Sequence, residues 1–286
     1  MTKPDTLLDY GRRIERVVTH IGAHLDEPLD LERLAAIACF SPYHFHRIYR
    51  AMTGETAADT LRRSRLHRAS GDLVRGTDEI ARIARRAGYG SVEAFTRAFG
   101  QSYGISPAAY RRQGRLVPPV PTDQNPEAIM HDVTIRDLPT VRVAAISHAG
   151  PYMEIGTAFE RLYTWAAARG LMGPQVRSFA IYYDDPEAVP PEKLRSKAAL
   201  MLDLKAVEDG AVQMIEIPGG KHAVLRHKGP YAELEGAYRW LYRDWLPTSG
   251  HTPANRPCVE EYLNSCRSLP PEEWLTDICL PLEESA

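Results

Sequence analysis

The sequence predicts a multidomain protein: an all-α N-terminal domain with two helix-turn-helix motifs, then an α+β C-terminal domain of two pseudo-symmetric repeats, an antiparallel sheet with helices on one face. Three observations predict this. The charge changes sign along the chain, apolar periodicity shifts from helical to strand-like, and each half carries an internal duplication of its own period.

The 286 residues hold 35 Lys plus Arg against 37 Asp plus Glu, for a net charge of −2. That balance is a sum of unlike parts. Residues 1–115 carry 19 basic and 13 acidic side chains, and residues 116–286 carry 16 and 24. Between them Pro118, Pro119, Pro121 and Pro126 fall in the segment LVPPVPTDQNPEA. Its lack of apolar periodicity predicts an extended, semi-rigid linker over 114–128, between domains at 9–113 and 129–286. A composition of 44% apolar and 25% charged residues excludes disorder throughout. No run approaches the roughly 18 apolar residues of a membrane span, and the polar start MTKPDTLLDY lacks a signal-peptide core, so a cytoplasmic protein without a membrane partner is expected. Cys39, Cys258, Cys266 and Cys279 form no CxxC pair and stand beside no His cluster. Isolated thiols read as small buried hydrophobes, and neither metal nor cofactor is expected.

Ile14, Val17, Val18, Ile21 and Leu25 form an i, i+3, i+4, i+7 stripe that predicts a helix over about 9–25, closed before Pro28. Two similar segments follow, LERLAAIACFSPYHFHRIYRAMTGET and IARIARRAGYGSVEAFTRAFGQSYGISP. At a shift of 50, Ser41 matches Ser91, Phe45 matches Phe95, Arg47 matches Arg97, Tyr49 matches Phe99 and Gly54 matches Gly104. Each copy predicts a short helix, a tight turn, and a second helix capped by serine. Ala35 and Ala84 let the paired helices approach, Gly88 supplies one turn, and Cys39 holds the equivalent place in the other. Leu61, Leu66, Ala69 and Leu73 predict a long helix between the copies. Such motifs place their second helix in a major groove.

Residues 9–113, and GYGSVEAFTRAFGQSYGISPAAYRR above all, resemble the AraC/XylS-type DNA-binding domain. The resemblance implies double-stranded DNA as partner, read by Tyr43, His46, Arg47 and Arg50 in the first copy and by Val92, Glu93, Thr96 and Arg97 in the second. Arg47 can address guanine O6 and N7, His46 can donate or accept one bond, Glu93 can accept from cytosine N4, and Val92 can meet a thymine methyl. Phe95 and Phe99 read as core. Arg97 divides between a DNA contact and a structural ion pair. Arg62, Arg63, Arg65, Arg85, Arg86, Arg111 and Arg112 are phosphate candidates, of which half are expected to be solvated surface.

The second half duplicates at a shift of 79 to 80: HAGPYMEIGTAFERLY matches HKGPYAELEGAYRWLY, and PPEKLRSKAALML matches PPEEWLTDICLPL. Each unit reads as strand, turn, helix, strand, strand, and the duplication predicts a central groove. Within it the copies differ: Ala180 in FAIYY aligns with Glu260 in VEEYL, each two residues before a tyrosine, Tyr182 and Tyr262. Facing the groove, Glu260 would be one carboxylate among Tyr152, Tyr231, Tyr262, Tyr182, Trp165 and Trp240. Such a site favours a cation, because an unpaired buried carboxylate is costly and ring faces attract positive charge. Alternatively Glu260 faces solvent and Glu261 the interior, or Glu260 pairs with Arg256. The GPY turns, IYYDDPEAVPPEKLR and RPCVEEYLN resemble the GyrI-like small-molecule-binding domain, whose central acidic residue falls on Glu260.

Together the halves resemble Rob-type regulators. The resemblance implies a transcriptional regulator that binds a small hydrophobic or cationic effector of the multidrug kind, with activation favoured over repression and a contact with RNA polymerase left open. Two other readings stand beside it: a small-molecule hydrolase with Glu260 as general base, and an interaction module using the acidic surface. No catalytic constellation is assigned, and His148 and His227 read as structural. The charge partition further suggests an acidic half held off the duplex.

Overall fold

The computed structural model describes residues 3–119, 131–173, 176–202, 210–264 and 268–284. Most of the proline-rich linker, residues 120–128, and Cys266 lie outside them.

Helix α1 runs Lys3–Ala23, earlier than the apolar stripe predicts. Thr6 and Tyr10 are buried on the face that holds Ile14, Val17 and Ile21, which extends the stripe by two turns, while Val18 is exposed. The first motif is α2 (Leu31–Ala38) and α3 (Pro42–Thr53). The Asp30 carboxylate accepts from the Arg33 amide, and the Ser41 hydroxyl from the Tyr43 amide at 3.3 Å, satisfying helix-start donors. Helix α4 (Ala57–Arg75) leads to the second motif, α5 (Ile80–Arg86) and α6 (Val92–Tyr103), and α7 (Pro107–Gln113) closes the domain. Both motifs turn through left-handed backbone: φ is 86° at Gly88 and 53° at Cys39. Glycine adopts that conformation freely and cysteine only with strain. Cys39 is thus an exposed turn residue and not the buried hydrophobe its type suggests, whereas Cys258 and Cys279 are buried.

The second half is one eight-stranded antiparallel sheet: β1 (Val133–Leu138), β2 (Val141–Ala149), β3 (Arg177–Tyr182), β4 (Arg195–Met201), β5 (Gln213–Ile217), β6 (Gly220–Lys228), β7 (Cys258–Tyr262) and β8 (Leu275–Pro281). The order β1-β6-β8-β7-β3-β4-β2-β5 shows that the repeats exchange their first strands. β1 of the first repeat pairs with β6 of the second, and β5 of the second with β2 of the first. The repeats are therefore interlocked, which adjacent self-contained units would not be. At the pseudo-dyad β3 lies against β7, and Ala180 stands directly opposite Glu260.

Helix α8 (Gly156–Ala168) covers the first repeat through Ala158, Leu162 and Ala166. In the second, α9 (Leu234–Trp240) continues through a π-turn at Leu241–Trp245 into α10 (Leu246–Ser249). The opposite sheet face carries its own apolar layer, including Val143, Phe179, Ile181, Val224 and Val259.

The two domains share a core. Tyr10, Ile14, Val17, Phe40, Phe45 and Ile48 form one cluster with Leu225, Leu234, Leu241, Tyr242, Leu246 and Leu280. Polar contacts stitch the same boundary: Tyr10 donates to the His251 carbonyl at 3.2 Å, and the Ser41 hydroxyl lies 2.9 Å from Asn255 Oδ1. The side chain of His44 is fully buried between the Tyr242 hydroxyl at 2.7 Å and the Ala254 carbonyl at 3.1 Å. Burial lowers the His44 pKa to about 3, so the imidazole is neutral. The acidic half packs on α1 and α3. The second motif closes a separate core of Leu66, Leu73, Ile83, Phe95, Phe99 and Tyr110.

Candidate functional site

The helical phase fixes what each recognition helix can present. In α6, Phe95 and Phe99 are fully buried, which turns Val92, Glu93 and Arg97 outward and leaves Thr96 half-exposed. The Ser91 hydroxyl accepts from the Ala94 amide at 3.1 Å and sets the helix start. In α3, Phe45, Ile48 and Tyr49 are buried, and the opposite side presents Tyr43, His46, Arg47 and Arg50. All four are only half-exposed. They face the acidic loop after β3: Tyr43 meets the Tyr183 ring at 6.5 Å, an Arg47 Nη donates to the Asp184 carbonyl at 3.3 Å, and Arg50 pairs with Glu187.

The basic residues expected along the backbone divide. Arg65 donates to the carbonyls of Leu25 and Glu27, and Arg111 to those of Leu73 and Asp78, so both serve the fold. Arg63 pairs with Glu55 at 2.7 Å, Arg62 with Asp59 at 2.9 Å and Arg86 with Asp72 at 3.4 Å.

Between the repeats and α3 lies a cavity of about 1670 Å³. Ligand sites are commonly some 300–1,000 Å³, so this space suits bulky guests. Glu260 lies within its lining and is buried, with 3% of its surface exposed. Tyr262 donates to one carboxylate oxygen at 3.0 Å and Tyr238 to the other at 3.1 Å. The Tyr182 and Tyr262 hydroxyls are 3.0 Å apart. Tyr152 meets the Tyr182 ring edge-on at 4.7 Å, and Tyr231 lies 5.3 Å from Tyr262. Burial raises the Glu260 pKa to about 7; the tyrosine hydroxyls and the Arg47 charge oppose that rise without cancelling it. Of the alternatives for Glu260, neither holds: Glu261 on the other face takes Arg177 in two bonds of 2.7 and 2.9 Å, and Arg256 donates to the carbonyls of Pro218 and Gly219.

The cavity gathers Glu260, Tyr152, Tyr182, Tyr231 and Tyr262, but not the two tryptophans. Trp165 packs on the first-repeat core under Arg169, and Trp240 on the shared core beside His131. Missing from the sequence reading is Tyr238, whose signal is its alignment with Phe159: the second copy gains a hydroxyl in the place from which it can reach the carboxylate that replaces Ala180. Arg47 was expected at DNA, yet it also lines the cavity, its guanidinium 4.7 Å from the Tyr238 ring and 5.6 Å from that of Tyr242. His148 lies 3.0 Å from the Ser196 hydroxyl, outside the cavity lining.

Comparison with known proteins matches both halves. Residues 131–283 match the family model of the GyrI-like small molecule binding domain, and residues 34–113 that of a helix-turn-helix domain. A DNA gyrase inhibitor of Edwardsiella piscicida is 31% identical over 158 residues, 54% of this chain and 99% of that protein. The probable transcriptional regulator YgiV of Escherichia coli K12 is 27% identical over 154 residues, 53% of this chain and 96% of its own. Transcriptional regulator Rob of Salmonella typhimurium is 29% identical over 141 residues, covering 48% of this chain and 49% of Rob. Among solved structures, the EcmrR C-terminal domain aligns with a TM-score of 0.46 at 18% identity, over 55% of this chain and all of that one. Fold and matches together define a DNA-binding transcription regulator with a small-molecule-binding domain. The chain belongs to the GyrI-like family and carries an AraC-type helix-turn-helix domain ahead of it. Among the described residues, no helix is long and apolar enough to cross a membrane.

Proposed function

We propose that the regulator responds to a small hydrophobic cation bound between its repeats. The carrying observation is Glu260, a buried carboxylate held by two tyrosine hydroxyls in a roomy, tyrosine-walled cavity. Without a ligand, burial drives this group toward its neutral form. A cation restores the charged form, and its apolar surface gains the ring faces of Tyr152, Tyr231 and Tyr262. Binding, and not hydrolysis, is the role we assign, since the hydrogen bonds of Tyr238 and Tyr262 hold the two oxygens of Glu260 in place as a fixed counter-charge facing the cavity.

The DNA contacts we assign are Val92, Glu93, Thr96 and Arg97 from α6 and Tyr43, His46, Arg47 and Arg50 from α3, with Arg85 and Arg112 near phosphates. The same reading assigns the protein to the cytoplasm and includes a contact with RNA polymerase. Titration calorimetry with tetraphenylphosphonium and with neutral triphenylphosphine oxide tests the effector class. The cation is expected to bind and to lose at least about tenfold in affinity in Glu260→Gln, while the neutral compound is unaffected. Equal loss for both, or for neither, would rule out a carboxylate-directed cation site.

A further inference from the structure

The cavity already contains a cation, and it belongs to the DNA-reading helix. Arg47 of α3 reaches across the domain boundary, lays its guanidinium on Tyr238 and near Tyr242, and donates to the Asp184 carbonyl. Tyr238 joins the two charges: its hydroxyl bonds Glu260 and its ring takes Arg47. Around this contact the loop Tyr183–Glu187 covers the remaining reading face of α3, through Tyr43 and through the Arg50 pair with Glu187, which also draws Arg239 to 3.6 Å.

A recognition helix about 10–12 Å across fills a major groove about 12 Å wide. No duplex can enter between α3 and a loop that touches it. The loop offers the helix what DNA would: carboxylates and a carbonyl in place of phosphates and base acceptors. Among the described residues none covers the second recognition helix in this way, and its Val92, Glu93 and Arg97 are exposed.

We infer that Arg47 is the resident cation of the effector cavity, and that a cationic ligand releases α3 to DNA by taking over the aromatic recess that Arg47 occupies. This inference rests on the proposed reading of the cavity as a cation site. It also fixes a sign. Ligand and DNA both favour the arrangement in which Arg47 has left the recess, so each strengthens the binding of the other.

The test uses the full chain and tetraphenylphosphonium. Arg47→Ala removes the internal competitor, so the probe is expected to bind about tenfold more tightly than to the wild type. Arg243→Ala removes an equal charge from another wall of the cavity and is expected to change affinity less than about twofold, which separates displacement from simple relief of repulsion. Probe binding to the wild type with no gain in Arg47→Ala, or with an equal gain in Arg243→Ala, overturns the inference and leaves the cation site standing. Absence of probe binding to every variant overturns the cation site itself. A second measurement needs no ligand: Glu187→Gln loosens the loop, and its affinity for a duplex selected from a random pool is expected to rise about fivefold without probe. Unchanged affinity there contradicts the covering of α3.

Discussion

The two recognition helices descend from one duplicated motif and have become unlike in their surroundings. Both begin with a serine cap, both bury two aromatic residues four apart, and both present an arginine at the same phase, Arg47 and Arg97. The core under α6 closes on α4, α5 and α7, and the outer residues Val92, Glu93 and Arg97 are exposed. Around α3 the core continues into α9, α10 and the sheet, and the outer face meets an acidic loop. The reader and the sensor are therefore not successive modules. The first motif is part of the sensor's wall, and only the second is a free-standing reader.

The largest effects should come from the cores. Phe99→Ala is expected to cost about 3–5 kcal/mol, confined to the second motif, with probe binding retained. Phe45→Ala should cost a similar amount and weaken probe binding as well, because its cluster includes Tyr242 and Leu241. Denaturant titrations read beside probe binding check both, and equal loss of probe binding in the two variants would erase the distinction.

Next comes the charge of Glu260. Its folded pKa of about 7 lies above the ordinary 4.5, so the folded state holds a proton that the unfolded state releases, and stability falls as pH rises from about 4.5 to about 7. At roughly 1.4 kcal/mol per unit, the wild type loses about 3 kcal/mol over this window, and Glu260→Gln should not. The groups facing the carboxylate are Tyr182, Tyr238, Tyr262 and Arg47, and burial keeps the tyrosines protonated well above this range. Thermal unfolding of both proteins at pH 5 and pH 8 checks the difference, and parallel pH curves would contradict a buried carboxylate. Above pH 7 the ionised carboxylate should also bind the cation more tightly.

At DNA, Arg97→Ala is expected to lose about 1–3 kcal/mol without effector, whereas Arg47→Ala loses that much only with effector present. Gel shifts on a selected duplex, with and without tetraphenylphosphonium, resolve the two. The smallest effects concern the caps. Ser91→Ala and Ser41→Ala each remove one bond to a helix amide and should each cost about 1 kcal/mol, the bond from Ser41 to the exposed Asn255 adding little because water replaces it.

Much of this was legible in the sequence, and for definite reasons. Duplications are written as spacings, so the two motifs, the two α+β repeats and the Ala180/Glu260 asymmetry could be read from aligned residues. Face alternation in a strand put Glu260 and Tyr262 on one side, and the pairing of β3 with β7 brings Ala180 against Glu260. What could not be read was long-range pairing. The exchange of β1 and β5 leaves no local pattern, because either repeat's first strand has the same alternation. The shared core was hidden too, since Tyr10 and Phe40 read as ordinary apolar positions whichever domain they meet. Aromatic type proved a poor guide to the cavity: Trp165 and Trp240 suggested a wall, while Tyr238 was chosen by helical phase. Charge summed over each half could not show that the acidic loop at Asp184 to Glu187 lies against α3.

On this mechanism, occupation of the sensor cavity and release of α3 are one equilibrium. Its most direct test is the affinity of the full chain for a selected duplex across rising tetraphenylphosphonium, measured together with probe affinity across rising duplex. Each is expected to tighten the other by the same factor, about 5- to 150-fold for a coupling of ordinary size. Independent binding, or a cation that drives the protein off DNA, would contradict it.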